Sequence, residues 1–364
     1  MVKKFINFTL FFVLTVMFFI IISPYVFKYQ KFFPKTLNKE IVFINSKLKL
    51  HYIDDERVIN FKDIKINRWM NKYEFYKILV KEFSKYPGVY VLLPESNKSN
   101  YVLPFEIRFV DGEFVVINSS CDIEEGAVVS KINNRDLIEY LSDFYSEKYV
   151  INENKQFFSR YIFPFLGEFL KKKRIEVEYK FLGKSKKTIV ETIPYEKFIR
   201  KDPVLVENKS NDFANITIFS FNFLGDKFSE IFEEFENIAK NNNIKHITLD
   251  FRYAYDIPID LSSLYMIMSF LIDKKTTLFE EAMFKLGSYK YTYKNFGELA
   301  PNNVMFKNKE VEIVENCFDP IGSLICNIIK NDKLEFYNNY KEIITPWTRL
   351  RIYIPSAKFF IKQL

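Results

Sequence analysis

The chain has 364 residues, 41 of them Phe and 23 Tyr but only nine Gly, where an average composition would supply about 25. No two of those glycines lie within four positions of each other, so neither a G-x-G-x-x-G turn nor a P-loop can be written. At 48% apolar and 27% charged the chain is globular, and its formal net charge of +7 is dispersed apart from the run Lys171 to Arg174, so no nucleic-acid partner is expected.

The first element is an uncharged run from Phe5 to Phe27, flanked by Lys4 and Lys28 and long enough to span a bilayer. Its exit, Ser23-Pro24-Tyr25, is a poor cleavage site, so residues 1–35 read as an uncleaved signal anchor. Lysines on both sides leave its orientation open. Residues 36–100 form a mixed region. Within it, Ile41 to Tyr52 alternates in part and is expected to be a strand or hairpin. Lys72 to Tyr86 carries Phe75, Leu79 and Phe83 at a spacing of four, which predicts a helix stopped by Pro87-Gly88.

Residues 101–204 read as a β-rich module. Tyr101–Val110 and Glu113–Asn118 flank Asp111-Gly112, a strong hairpin signal. Gly126 to Asn134 is a strand entering a turn. A helix with Leu137, Leu141 and Phe144 inward follows. A helix over residues 155–171 should be broken or kinked at Pro164. Two strands around Gly183 close the module. Residues 205–364 read as an α/β core. Ile216 and Ile218 mark a strand, Asp226–Lys240 an amphipathic helix, and Ile247, Leu249 and Phe251 a second strand, which together make a βαβ unit. Pro258–Asp273 and Ile321–Lys330 are expected to be helices, Glu310–Glu315 and Arg349–Ile354 strands.

Cys121, Cys317 and Cys326 form no metal spacing, and their apolar neighbours point to buried thiols. With two histidines, His51 and His246, no metal site is expected, nor any cofactor. In open α/β sheets ligands bind beyond the carboxyl ends of the strands. Two such ends carry polar residues: Asp250 to Asp256, and Asn316 to Ser323 leading into a helix.

At these residues the sequence resembles the C-terminal-processing (tail-specific) serine peptidase family with its tricorn-like members. Ile132-Asn133-Asn134 is similar to the "INGxxI" of the family's PDZ-like module, and Ile247 to Arg252 to its "LIIDLR" strand. Val311 to Asp332 resembles the nucleophile strand and helix, Leu334 to Asn339 the later "GE-x-TGG" stretch, and Ile354-Pro355-Ser356 the closing strand. The resemblance implies an N-terminal anchor, a PDZ-like module and a ββα-spiral peptidase-type core. It also implies a groove near Asp250, Arg252, Asp319, Gly322 and Glu335, and places the globular part outside the cytoplasm.

The departures fall on the chemistry. The family's Thr-x-Ser, whose Ser is the nucleophile, corresponds here to Phe318, Asp319 and Pro320. The family's loop after Asp-x-Arg runs Asn-x-Gly-Gly and supplies oxyanion N–H groups; here it runs Tyr253-Ala254-Tyr255-Asp256. The tricorn-like base His has no counterpart in residues 86–102. Ser323, three positions after Pro320, is the one relocated nucleophile to consider, with Lys330 or Lys341 as base. His246 should lie about 16 Å from the carboxyl end of its strand. The sequence therefore favours a membrane-anchored pseudopeptidase that binds extended polypeptide. The alternatives are an active serine endopeptidase with a Ser323/Lys dyad, and a membrane-associated structural protein. Asp250 with Arg252 reads as an ion pair, and Asp256 and Asp260 as helix caps.

Overall fold

The computed structural model describes residues 30–54, 64–93, 100–146, 149, 151–223, 225–314 and 335–361. The apolar run Phe5–Phe27 and the segment holding Cys317, Asp319, Pro320, Gly322, Ser323, Cys326 and Lys330 lie outside them. Among the described residues no helix is long and apolar enough to cross a membrane.

The first element corrects an expectation. Residues 41–52 are not a strand: helix α1 runs Pro34–His51, with Pro34 in its first turn, where a missing N–H costs nothing. Leu37, Ile41, Ile44 and Leu48 are buried at helical spacing, a stripe that the partial alternation obscured. Helix α2, Lys72–Phe83, is as expected. Asn71 closes a capping box with Glu74, and Phe75, Leu79 and Phe83 all face the core. It stops before Pro87.

Strand β1 (Tyr90–Leu92) and strand β2 (Tyr101–Val102) follow. Strands β3 (Phe105–Val110) and β4 (Glu113–Ser119) form the predicted hairpin. Asp111 and Gly112 both take positive φ, 51° and 89°, as that turn demands. Strand β5 (Val128–Ile132) turns through Asn133-Asn134 into β6 (Arg135–Asp136). Helix α3 (Leu137–Ser142) buries Leu137 and Leu141, with Phe144 buried just beyond it. The predicted kinked helix is α4 (Asn152–Phe157), a π-type turn over Phe158–Ile162, a 3₁₀ turn containing Pro164, and α5 (Leu166–Leu170). Strands β7 (Arg174–Phe181) and β8 (Lys184–Glu191) pair across Leu182-Gly183 and join β3, β4, β5 and β6 in one six-stranded sheet. Strand β9 (Ile193–Pro194) pairs with β2. Cys121, expected to be buried, is only partly so, because it sits in the bend after β4 with its sulfur 3.5 Å from the Ser119 hydroxyl.

Strands β10 (Val204–Ser210) and β11 (Phe213–Ile218) open the second half. Helix α6 (Asp226–Lys240) buries Ile231, Phe235 and Ile238, and strand β12 (His246–Asp250) returns parallel to β11, which completes the βαβ unit. Asp260 caps helix α7 (Leu261–Ser269), three residues shorter at its start than expected because the cap sets the boundary. A long hairpin missed in the sequence, β13 (Thr276–Leu286) with β14 (Tyr289–Leu299), comes next. Strand β15 (Glu310–Val314) lies parallel to β12 and completes the four-stranded order β10-β11-β12-β15. Strands β16 (Glu335–Ile344) and β17 (Arg351–Ile361) finish the chain. β16 covers one edge of β17, and β1 and β13 share the other. The N-terminal region is thus built into the last sheet, and one apolar cluster runs from α1 through the six-stranded sheet to Ile354. A second cluster fills the space around β11, β12, α6, α7 and β13.

Candidate functional site

β12 is held on both edges by parallel partners, so its apolar residues Ile247 and Leu249 are buried and its last residue, Asp250, is fixed at the carboxyl end. The chain then bends, and the Asp250 carboxylate accepts the Arg252 backbone N–H at 3.0 Å. The Arg252 guanidinium folds back onto the same carboxylate, with Nε to Oδ1 at 3.0 Å and Nη2 to Oδ2 at 2.8 Å. Its Nη1 reaches Asp111 in the β3–β4 turn at 3.1 Å. The hydrogen bonds to Asp250 raise the Arg252 pKa further, against partial desolvation. Asp250 and Arg252 form the expected ion pair, and it fastens the six-stranded sheet to the core.

Beyond it the loop carries its charge inward. The Asp256 carboxylate is 2% exposed, so it is not the helix cap that the sequence suggested. It accepts the Phe221 N–H at 2.7 Å and faces the Arg160 guanidinium at 3.5 Å. Arg160, 9% exposed on the π-type turn, also pairs with Glu106 of β3 at 3.1 Å. Arg108 of β3, fully buried, donates to the Tyr253 carbonyl at 3.3 Å and to the Ile107 carbonyl at 2.9 Å. Buried ions cost several kcal/mol each unless closely paired. Here two guanidiniums meet two carboxylates. Burial opposes ionisation of Glu106, but Arg108, Arg160 and the Lys201 N–H outweigh it and hold its carboxylate below the usual range. Burial likewise opposes the charge on Arg160; Arg200 adds to that opposition, and Asp256 and Glu106 overcome both. Burial, then Arg160, push the Arg108 guanidinium down to about 9. The Ile257 N–H, next in the loop, donates to the Tyr161 hydroxyl at 2.8 Å.

Arg160, Tyr161, Asp256 and Ile257 of this network line a cleft of about 270 Å³. Ser220 and Asn222, just past the end of β11, line it, as do Lys201, Arg351 of β17 and Leu93 beyond β1. It therefore sits where strand ends converge, the usual ligand position in such sheets. Asp256 aligns with the second Gly of the Asn-x-Gly-Gly loop in the family that the sequence resembles, and here its carboxylate is buried against Arg160. Glu106, Arg160, Asn222 and Arg351 were missed by sequence reasoning. A signal existed for two of them: Glu106 stands with Arg108 inside the otherwise apolar run Leu103–Phe109, and Arg160 is the lone charge in Phe157–Phe165.

His246, His51 and Lys341 do not line this cleft. His246 stands at the opposite, amino end of β12, exposed, with Nδ1 2.9 Å from Glu310. His51 ends α1, its pKa lowered first by burial and then by Lys341, Lys47 and Lys285. Lys341 is exposed on β16, and Glu335 begins that strand opposite Phe360. Among the described residues no group of three or more His, Cys, Asp or Glu is placed to hold a metal ion.

No family model matches this chain, and no curated protein matches it by sequence. A lipoprotein from Streptococcus agalactiae aligns over 44% of this chain and 59% of its own at 11% identity and a TM-score of 0.28, too low to indicate a common fold. The crystal structure of mature CPAF aligns over 90% of this chain and 91% of its own, at 10% identity and a TM-score of 0.54. CPAF is a chlamydial tail-specific protease-like serine protease. The chain therefore has a mixed α/β, CPAF-like fold.

Proposed function

We propose that this protein binds extended polypeptide in the cleft beside Asp256 and does not hydrolyse it. The observation that carries this reading is the buried Asp256 carboxylate, with its Phe221 and Arg160 partners, at the residue that the resemblance aligns with an oxyanion glycine. Pro320 at the nucleophile position, which offers neither a hydroxyl nor an N–H, agrees with it. Binding needs less than catalysis does. An extended segment gains affinity from main-chain hydrogen bonds at a free strand edge and selectivity from side-chain pockets beside it. The Phe5–Phe27 run would tether the domain to a membrane, with the globular part outside the cytoplasm.

The test is a pair of assays on the full-length chain. A fluorophosphonate probe should leave it unlabelled and an unstructured protein substrate should stay intact, while fluorescent unstructured peptides bind saturably. Labelling that disappears in Ser323→Ala would establish the active-endopeptidase alternative instead. Absence of both binding and hydrolysis would leave the structural-protein reading. Carbonate extraction of membranes, with protease protection of the globular part, tests the anchor and its side.

A further inference from the structure

A second cleft, of about 220 Å³, opens between α2, the residues before β1, and α4. Its walls are aromatic: Phe83, Tyr86, Tyr90, Tyr145 and Phe157 all line it and are all buried. One carboxylate belongs to it, that of Glu153 in the first turn of α4. The Tyr90 hydroxyl donates to Glu153 Oε1 at 2.7 Å. Among the described residues no cation lies within ion-pair distance of Glu153. Lys85, which also lines the cleft, is held by Glu82 at 2.6 Å. Desolvation raises the Glu153 pKa, and the single hydroxyl bond offsets this only in part.

A carboxylate in aromatic surroundings with no described cation beside it is relieved either by taking up a proton or by a ligand that brings a positive charge. Aromatic faces attract the same kind of ligand, because their quadrupole is negative over the ring. The volume is below the roughly 300–1,000 Å³ of pockets for drug-sized molecules, which limits the guest to a small group. We propose that this cleft is a binding site for an alkylammonium group, with Glu153 as its counter-ion and the tyrosine and phenylalanine rings as its walls. The site is separate from the Asp256 cleft and does not depend on the reading given for it.

Calorimetric titration of the full-length protein at neutral pH with n-butylammonium and with n-butanol, its neutral isostere, tests the site without any substitution. Butylammonium should bind saturably and about tenfold or more tighter than butanol. Equal affinities, or no saturation at hundred-millimolar concentration, overturn the proposal. Glu153→Gln should weaken butylammonium about fivefold or more while leaving butanol unchanged; an unaltered butylammonium affinity overturns it. A blocked Ala-Lys-Ala peptide distinguishes the source of the ammonium. Tighter binding than butylammonium assigns the site to a lysine side chain, weaker binding to a free amine, and failure of both to bind overturns it.

Discussion

Asp256 takes the Phe221 N–H at 2.7 Å and thereby locks the loop after β12 onto the segment after β11. The same carboxylate neutralises Arg160, so its removal should be felt in stability before function. Asp256→Asn should cost about 3 kcal/mol, the low end for breaking a buried ion pair, because Arg160 keeps Glu106. Urea unfolding measures it. A change inside about 0.5 kcal/mol, the range of ordinary surface substitutions, would mean that Asp256 does not hold this network together.

Glu106 makes stability depend on acid. Its folded-state pKa is held below the ordinary value of 4.5, so its contribution is complete above that value and is lost as pH falls through the depressed one. The thermal midpoint should drop as pH falls below 4.5, and Glu106→Gln should lie lower at neutral pH but lose less on acidification. Parallel curves for the two proteins would remove Glu106 as a source of the acid response.

Glu153 has the opposite sign. Its folded-state pKa is raised, so ionising it opposes folding above the ordinary value of 4.5. Glu153→Gln should therefore leave the neutral-pH thermal midpoint unchanged or raise it. A clear loss of stability would contradict this account of the carboxylate.

The Arg252 fork is part-exposed, with 31% of the side chain open to solvent. Arg252→Lys loses the paired geometry to Asp250 and should cost no more than about 1 kcal/mol. A double-mutant cycle with Asp111→Asn should show coupling of the same small size. A coupling of several kcal/mol would make this contact the main fastening between sheet and core, in place of the Arg160 network.

Gly88 sits at φ +74°, and an added Cβ would lie 2.9 Å from the Tyr337 Cβ. Gly88→Ala should destabilise by about 1–3 kcal/mol, through overpacking in a conformation that L residues avoid. An unaltered unfolding midpoint would show that this junction can relax.

Elements with a local cause were legible in the sequence. Asp111-Gly112 set its hairpin because both positions need positive φ, and α6 announced itself through Ile231, Phe235 and Ile238 on one face. Residues 41–52 were misread because Phe43 and Val42 interrupt the helical stripe with further apolar residues. The β13–β14 hairpin was missed although Tyr289, Tyr291 and Tyr293 alternate with Lys290, Thr292 and Lys294; all six are exposed, so the alternation marks no buried face. At the site, Asp250 with Arg252 could be read because they are two residues apart. Glu106, Arg160 and Asp256 could not be assembled, since only the tertiary fold brings the three charges together.

The placement of β17 bears on how the chain can be made. This strand is the last of the described ones in chain order, yet β1, β13 and β16 all pair with it. During synthesis the first of these partners waits for more than two hundred residues before its neighbour exists. Pairing at such sequence separation is slow and leaves strand edges open meanwhile. The sheet therefore closes only once β17 has been made, and a chain ending before Arg351 would leave β1 and β16 without this partner and β13 with β14 alone.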